Sequence, residues 1–100
     1  MPRKTTESTT TILFDPEIRN RIRLAVAAYA YECRSDPVMS DAAFDQLALK
    51  IEPRVLTGKP ILDLFFLTEF EPHTGAWIHE HPELAGIARL YESYYEERLV

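Results

Sequence analysis

A chain of 100 residues with 46% hydrophobic and 11% aromatic residues has the length and apolar content of one folded domain, which excludes an intrinsically disordered protein. Its formal net charge of −5 disfavours contact with a phosphate backbone, so we expect no direct nucleic-acid binding. The lone cysteine cannot form an intrachain disulfide, and the sequence has neither the run of about 20 apolar residues that a membrane span needs nor a signal peptide. These properties predict a cytoplasmic protein with no membrane partner.

The N-terminal part of the chain predicts a tail followed by a long helix. Segment 1–11 is polar and threonine-rich and is predicted to be flexible, whereas residues 12–100 are predicted to form a single helical domain. The apolar triplet at 12–14 is expected to anchor on that domain. Asp15 as N-cap and Pro16 in the first turn then begin a helix that continues to about Arg34.

This first helix has apolar residues on two faces. Leu24, Ala27 and Tyr31 lie nearly opposite the main apolar set at about 100° per residue, so they either pack within the fold or contact a partner. The main set has the three- or four-residue spacing of a core-facing stripe. It consists of Ile18, Ile22, Ala25, Val26, Tyr29 and Cys33.

The arginines and the cysteine of this helix are predicted to have structural roles. Arg19, Arg21 and Arg23 are predicted to form a solvated outer face. Cys33 falls on the main apolar stripe, which predicts a small buried hydrophobe and not a nucleophile.

A proline-containing turn separates the first helix from a second one. Pro37 biases Asp36 away from helical geometry, and Ser40 is a good N-cap for a helix from Asp41 to about Ile51. Residues 16–51 are therefore predicted to form an antiparallel helical hairpin with a short connection. The predicted core face of the second helix consists of Phe44, Leu47, Ala48 and Ile51.

The C-terminal helices, within residues 60–99, are predicted to complete a small all-α bundle. Pro60 begins a third helix that continues to about Phe70, with Leu62, Phe65, Phe66 and Phe70 in the core. Segment 73–81 is predicted to be a turn or short helix that holds the only tryptophan. A last helix then extends from Pro82 to about Leu99, with Leu84, Ile87, Ala88, Tyr91 and Tyr95 on its inner face.

Few residues suggest catalysis or metal binding. His73, His79 and His81 lack a metal-site spacing, and two histidines in a His-x-His helix point about 200° apart, so we expect structural roles in a loop or at a helix end. The sequence contains no Ser-His-Asp arrangement, P-loop or glycine-rich dinucleotide motif. We therefore expect a protein that is not an enzyme, with no catalytic residue and no metal.

Residues 29–47 carry the one informative motif. Tyr31-Glu32 lies late in the first helix, Ser35-Asp36-Pro37 forms the turn, and Asp41-Ala42-Ala43-Phe44-Asp45-Gln46-Leu47 begins the second helix. This segment resembles the N-terminal helical subdomain of bacterial NAD+-dependent DNA ligases. The signature there is a Tyr-His pair, an Asp-x-Pro-like turn and an Asp-Ala-x-Tyr-Asp-x-Leu segment. Two positions depart from it, since Glu32 stands at the family histidine and Phe44 at the second family tyrosine.

The resemblance implies a site for the nicotinamide mononucleotide (NMN) half of NAD+. It places Tyr31 at the position that stacks on the nicotinamide ring, Asp41 and Asp45 at the polar contacts, and Glu32 and Phe44 beside them. Because the adenylation domain with its nucleophilic lysine does not fit in the remaining residues, the resemblance implies a stand-alone, non-catalytic relative, plausibly from a phage or other mobile element.

A second interpretation of the same hairpin remains open. The hairpin is then the scaffold of a protein-interaction module in DNA metabolism that binds no nucleotide. In this alternative, the protein partner contacts the face formed by Leu24, Ala27 and Tyr31.

Overall fold

The computed structural model describes residues 16–94, which form four α-helices and one 3₁₀ helix without any strand. The predicted all-α fold is therefore confirmed. No helix among residues 16–94 is long and apolar enough to span a membrane. The predictions for the 1–11 tail, the 12–14 anchor, the Asp15 cap and the last helix beyond Tyr94, including Tyr95, lie outside the described residues. The elements are α1 Pro16–Arg34, α2 Asp41–Lys50, α3 Pro60–Thr68, the 3₁₀ helix Ala76–Glu80 and α4 Leu84–Tyr94.

Helix α1 is the central element, because α2, the 3₁₀ helix and α4 all pack against it. This arrangement corrects the predicted core face of the helix. Leu24 and Ala27 from the second apolar set are buried, whereas Ile22 and Cys33 from the main set are exposed. Neighbours on more than one side bury several faces of the helix, so a single stripe does not describe it.

The predicted hairpin boundaries are confirmed. Helix α1 ends at Arg34, and Ser35 follows with φ of 50°, a left-handed conformation that stops the helix. The Ser40 side chain then caps α2 by accepting a hydrogen bond of 3.1 Å from the Ala43 amide. Helices α1 and α2 pack against each other across this short connection.

An aromatic cluster fills the space between α3 and the 3₁₀ helix. Phe65 and Phe66 of α3 are buried and contact Trp77, with ring centroids 6.1 and 5.9 Å away. The indole of Trp77 donates a hydrogen bond of 2.6 Å to the Thr74 carbonyl, which satisfies its only polar atom. Helix α3 ends at Thr68, two residues before the predicted end, but Phe70 still packs on Trp77.

A buried ionic cluster, formed by Glu17, Arg21 and Asp63, joins α1 to α3. The guanidinium of Arg21 lies 2.5 Å from a Glu17 oxygen and 2.9 Å from Asp63 Oδ1. It also donates to the carbonyls of Glu52 and Val55 at 2.9 and 3.0 Å. Because Arg21 is only 5% exposed, the prediction that it solvates an outer face is wrong. Two carboxylates and two carbonyls accept hydrogen bonds from the guanidinium and replace its water shell.

A cleft lined by the predicted site residues

A single cleft of about 430 Å³ lies between the C-terminal half of α1, the start of α2 and the turn at 73–75. Its lining includes every residue that the sequence motif singled out. We call it the α1–α2 cleft. Those five residues are Tyr31, Glu32, Asp41, Phe44 and Asp45.

Two aromatic rings line the cleft in different ways. Tyr31 is 59% exposed, although the alanines around it in α1 are buried. Phe44 is half-buried and packs against the hydrophobic core, as its place on the core face of α2 predicts. The Tyr31 ring is therefore an accessible surface, whereas Phe44 contributes to the wall behind it.

Three carboxylates give the cleft an acidic character. Asp41 and Asp45, one turn apart on α2, are both exposed, and neither forms an ion pair with a residue in the described range 16–94. Glu32 lies 3.4 Å from His79 Nε2 across the gap between α1 and the 3₁₀ helix. Among the described residues that line the cleft there is no lysine or arginine, and His73 is the only one of them that can carry a positive charge. This balance favours a ligand group with positive charge.

The third wall of the cleft is a turn that the sequence analysis did not assign to the site. His73, Thr74 and Gly75 line it opposite the hairpin. Gly75 packs so closely that a Cβ there would lie 3.3 Å from the Ala28 Cβ and 3.6 Å from the Phe44 ring. The sequence predicted a turn or short helix over 73–81, but nothing in the local pattern indicated that this segment folds back onto α1 and α2.

The His81 imidazole is a candidate reactive group that lies outside the cleft, in the interior of the fold. His81 is buried against Phe65 and Phe66, and its Nδ1 accepts a hydrogen bond of 3.0 Å from the Glu83 amide. Burial lowers the pKa of His81 below its usual value, and the charge of Glu83 opposes this only partly. The predicted structural role of this histidine agrees with that environment. The described part of the chain contains no group of three potential metal-ligating side chains.

Cys33 differs from its prediction. It is exposed and not buried, so it does not belong to the core that packs against α1. Desolvation of the sulfur and the charge of the neighbouring Glu32 raise the pKa of the Cys33 thiol. The thiol is thus held in its less nucleophilic, protonated form.

Comparisons with known protein families, curated proteins and solved structures give no match for this chain. The likeness to the ligase subdomain therefore rests on the residues of the 29–47 motif alone.

Proposed function

We propose that the α1–α2 cleft binds the NMN half of NAD+, or a similar nucleotide, and that the protein performs no chemistry on it. The observation that carries this proposal is the convergence of all five motif residues on one cleft. Its volume of about 430 Å³ is in the range of small-molecule sites. The ligase-like motif thus remains assembled in three dimensions, although two of its positions differ.

The chemistry of the lining fits the nicotinamide ring. That ring is a flat aromatic cation in the oxidised nucleotide, and the exposed face of Tyr31 offers a stacking surface with a cation–π component. Asp41 and Asp45 line the same cleft and contribute negative charge to it, and neither forms an ion pair with a described residue. The Thr74 hydroxyl and the His73 imidazole add hydrogen-bonding groups on the opposite wall.

The alternative function, a protein-interaction module, receives less support from the face that was predicted for it. Leu24 and Ala27 are buried in the fold, so only Tyr31 of that face is accessible to a partner. A lone exposed tyrosine is a small surface for a protein but a sufficient one for a ring that stacks.

An NMR titration of the full-length, isotope-labelled protein with NMN and with NAD+ tests the proposal. We expect saturable amide shifts in segments 29–47 and 73–75. Tyr31→Ala is expected to weaken binding at least tenfold while leaving the free energy of unfolding within about 1 kcal/mol, because this side chain is mostly exposed.

The matched control is Tyr94→Ala on α4. Tyr94 is also an exposed tyrosine, but it does not line the cleft, so its removal should leave the affinity unchanged. Absence of saturable shifts at millimolar ligand, or equal effects of the two substitutions, would refute a nucleotide site in this cleft.

A further inference from the structure

Helix α3 has an apolar face that no described residue covers. Its inward face contributes Asp63, Phe65 and Phe66 to the interior. On the outward face, Ile61, Leu64 and Leu67 are 72%, 60% and 51% exposed. At 100° per residue, this three-residue spacing covers about 120° of the helix surface, which is as wide as the core-facing stripe of an ordinary amphipathic helix.

The loop before α3 extends this apolar surface. Leu56 is 84% exposed and lines the same shallow depression as Leu64 and Leu67, which has a volume of about 530 Å³. We call Leu56, Ile61, Leu64 and Leu67 the α3 patch. Single exposed leucines are common, but a contiguous group on one face marks an interaction surface.

We infer that the α3 patch joins two copies of this chain in a two-fold symmetric dimer, with the two α3 helices antiparallel. The stripe is self-complementary about its central residue. Ile61 precedes Leu64 by three positions and Leu67 follows it by three. A two-fold axis at Leu64 therefore places Leu64 against the partner's Leu64 and Ile61 against the partner's Leu67, as an isologous interface requires.

The charges at the two ends of α3 complement each other in the same arrangement. Arg54 and Lys59 are exposed on the N-terminal side of the patch, whereas Glu69 and Glu71 are exposed after its C-terminal end. Within segment 16–94, none of the four side chains forms an ion pair. Antiparallel packing brings the basic end of each helix towards the acidic end of the other, and it does so twice by symmetry.

Other occupants of the patch fit these observations less well. A net charge of −5 disfavours an anionic membrane surface. A partner of unrelated sequence requires neither a symmetric stripe nor opposite charges at its two ends. Both features favour antiparallel self-pairing.

The size of the patch indicates a weak dimer. A helix of nine residues is only about 14 Å long, so each copy buries less than the roughly 800 Å² of a standard interface. We expect a dissociation constant on the order of 10–100 μM.

Sedimentation analysis of the full chain from 5 μM to 1 mM tests the inference. The average mass should rise with concentration from 11.6 kDa towards twice that value. Leu64→Glu places two negative charges face to face at the axis, and we expect it to raise the dissociation constant at least tenfold. A wild-type protein that stays monomeric at 1 mM would overturn the dimer.

Leu49→Glu is the matched control. Leu49 is an exposed leucine on α2, four residues after Asp45 and so on the same helical face as that acid, and it does not line the depression beside α3. We expect this variant to dimerise like the wild type. If it weakens the dimer as much as Leu64→Glu does, the interface is not the α3 patch. Circular dichroism verifies that both variants are folded, which we expect because both leucines are exposed.

Two further experiments test the antiparallel arrangement. Lys59→Glu and Glu69→Lys should each weaken association about threefold, and both reversals in one chain should restore it. A double variant that associates more weakly than either single variant contradicts the arrangement.

In a Cys33→Ser background, Leu64→Cys should give a disulfide-linked dimer on mild oxidation, and Leu49→Cys should not. Equal cross-linking of the two contradicts an axis at position 64.

Discussion

The buried ionic cluster and the α1–α2 cleft both contain carboxylates, but the two regions use this type of side chain for opposite purposes. In the cluster, Glu17 and Asp63 lie within 3 Å of Arg21, and all three side chains are buried. In the cleft, Asp41 and Asp45 are open to water and have no cation beside them among the described residues. Paired and desolvated charges hold three chain segments together, whereas unpaired and hydrated ones are available to a ligand.

The difference arises from what surrounds each acid and not from the acids themselves. Asp63 gains two hydrogen bonds from Thr57 in addition to the contact with Arg21. Burial by itself would raise the pKa of Asp63, but the Thr57 hydrogen bonds and the Arg21 charge together lower it. The folded state therefore stabilises the ionised form of the Asp63 carboxyl group.

Removal of the shared cation should have the largest effect. We expect Arg21→Met to reduce the free energy of unfolding by about 3–5 kcal/mol, because it leaves two buried carboxylates without their partner. Urea denaturation measures this. Arg23→Met, at an exposed position two residues away, should change stability by no more than about 0.5 kcal/mol.

If Arg21→Met does not fold, a variant in which the two acids are also neutralised tests whether their unpaired charges are the cause. Adding Glu17→Gln and Asp63→Asn removes both unpaired charges, and we expect it to restore folding. Equal stabilities of the Arg21 and Arg23 variants would show that the cluster does not stabilise the fold.

Lowering the pH should remove the stabilisation that the ionic cluster gives to the fold. The pKa of Asp63 is lower in the folded state than in the unfolded chain, so the unfolded chain takes up the proton first as the pH falls. The contribution of Asp63 is thus complete above its unfolded pKa of about 3.9 and is lost below it. The stability difference between the wild type and Asp63→Asn, followed by thermal unfolding, should shrink between pH 6 and pH 2. A constant difference would contradict this assignment.

A third, smaller effect is the pH dependence that His81 gives to the free energy of unfolding near neutral pH. Burial lowers the pKa of this imidazole in the folded state, so the unfolded chain binds the proton more tightly. Stability should therefore decrease as the pH falls below about 6.5, the ordinary histidine value. His81→Asn keeps an acceptor for the Glu83 amide but does not titrate, so it should lose this pH dependence. His73→Gln, at an exposed histidine, should retain it.

The smallest effect is expected in the cleft. Asp41 and Asp45 are like charges one turn apart, so Asp45→Asn should stabilise the isolated protein by about 0.2–0.5 kcal/mol. The same substitution should weaken binding of NMN. Urea denaturation and the NMR titration measure the two quantities on one variant. If Asp45→Asn lowers the free energy of unfolding by more than about 1 kcal/mol, the Asp45 carboxylate stabilises the fold and is not reserved for a ligand.

The sequence predicted the hairpin better than it predicted the core. Pro37 and Ser40 fixed the end of α1 and the start of α2, because proline and N-cap preferences act through the nearest peptide units. The same local rules placed Tyr31, Asp41 and Asp45 on neighbouring turns of two packed helices. The five motif residues therefore line one cleft.

The wrong predictions for individual side chains of α1 concern burial. Arg21 was assigned to solvent from its charge and Cys33 to the core from the periodicity of α1, and both assignments are reversed. Periodicity reports which residues share a face, but it does not report which faces other elements cover.

The sequence by itself determined the two helices of the hairpin, the Ser40 cap and the motif between them, since these depend on residues within a few positions of one another. Only the tertiary structure decided that Asp63, 42 residues away, neutralises Arg21, and that the 73–75 turn closes the cleft. Both depend on long-range packing around α1. Packing decides which charges lose their water and need a partner, and which stay hydrated and free to bind.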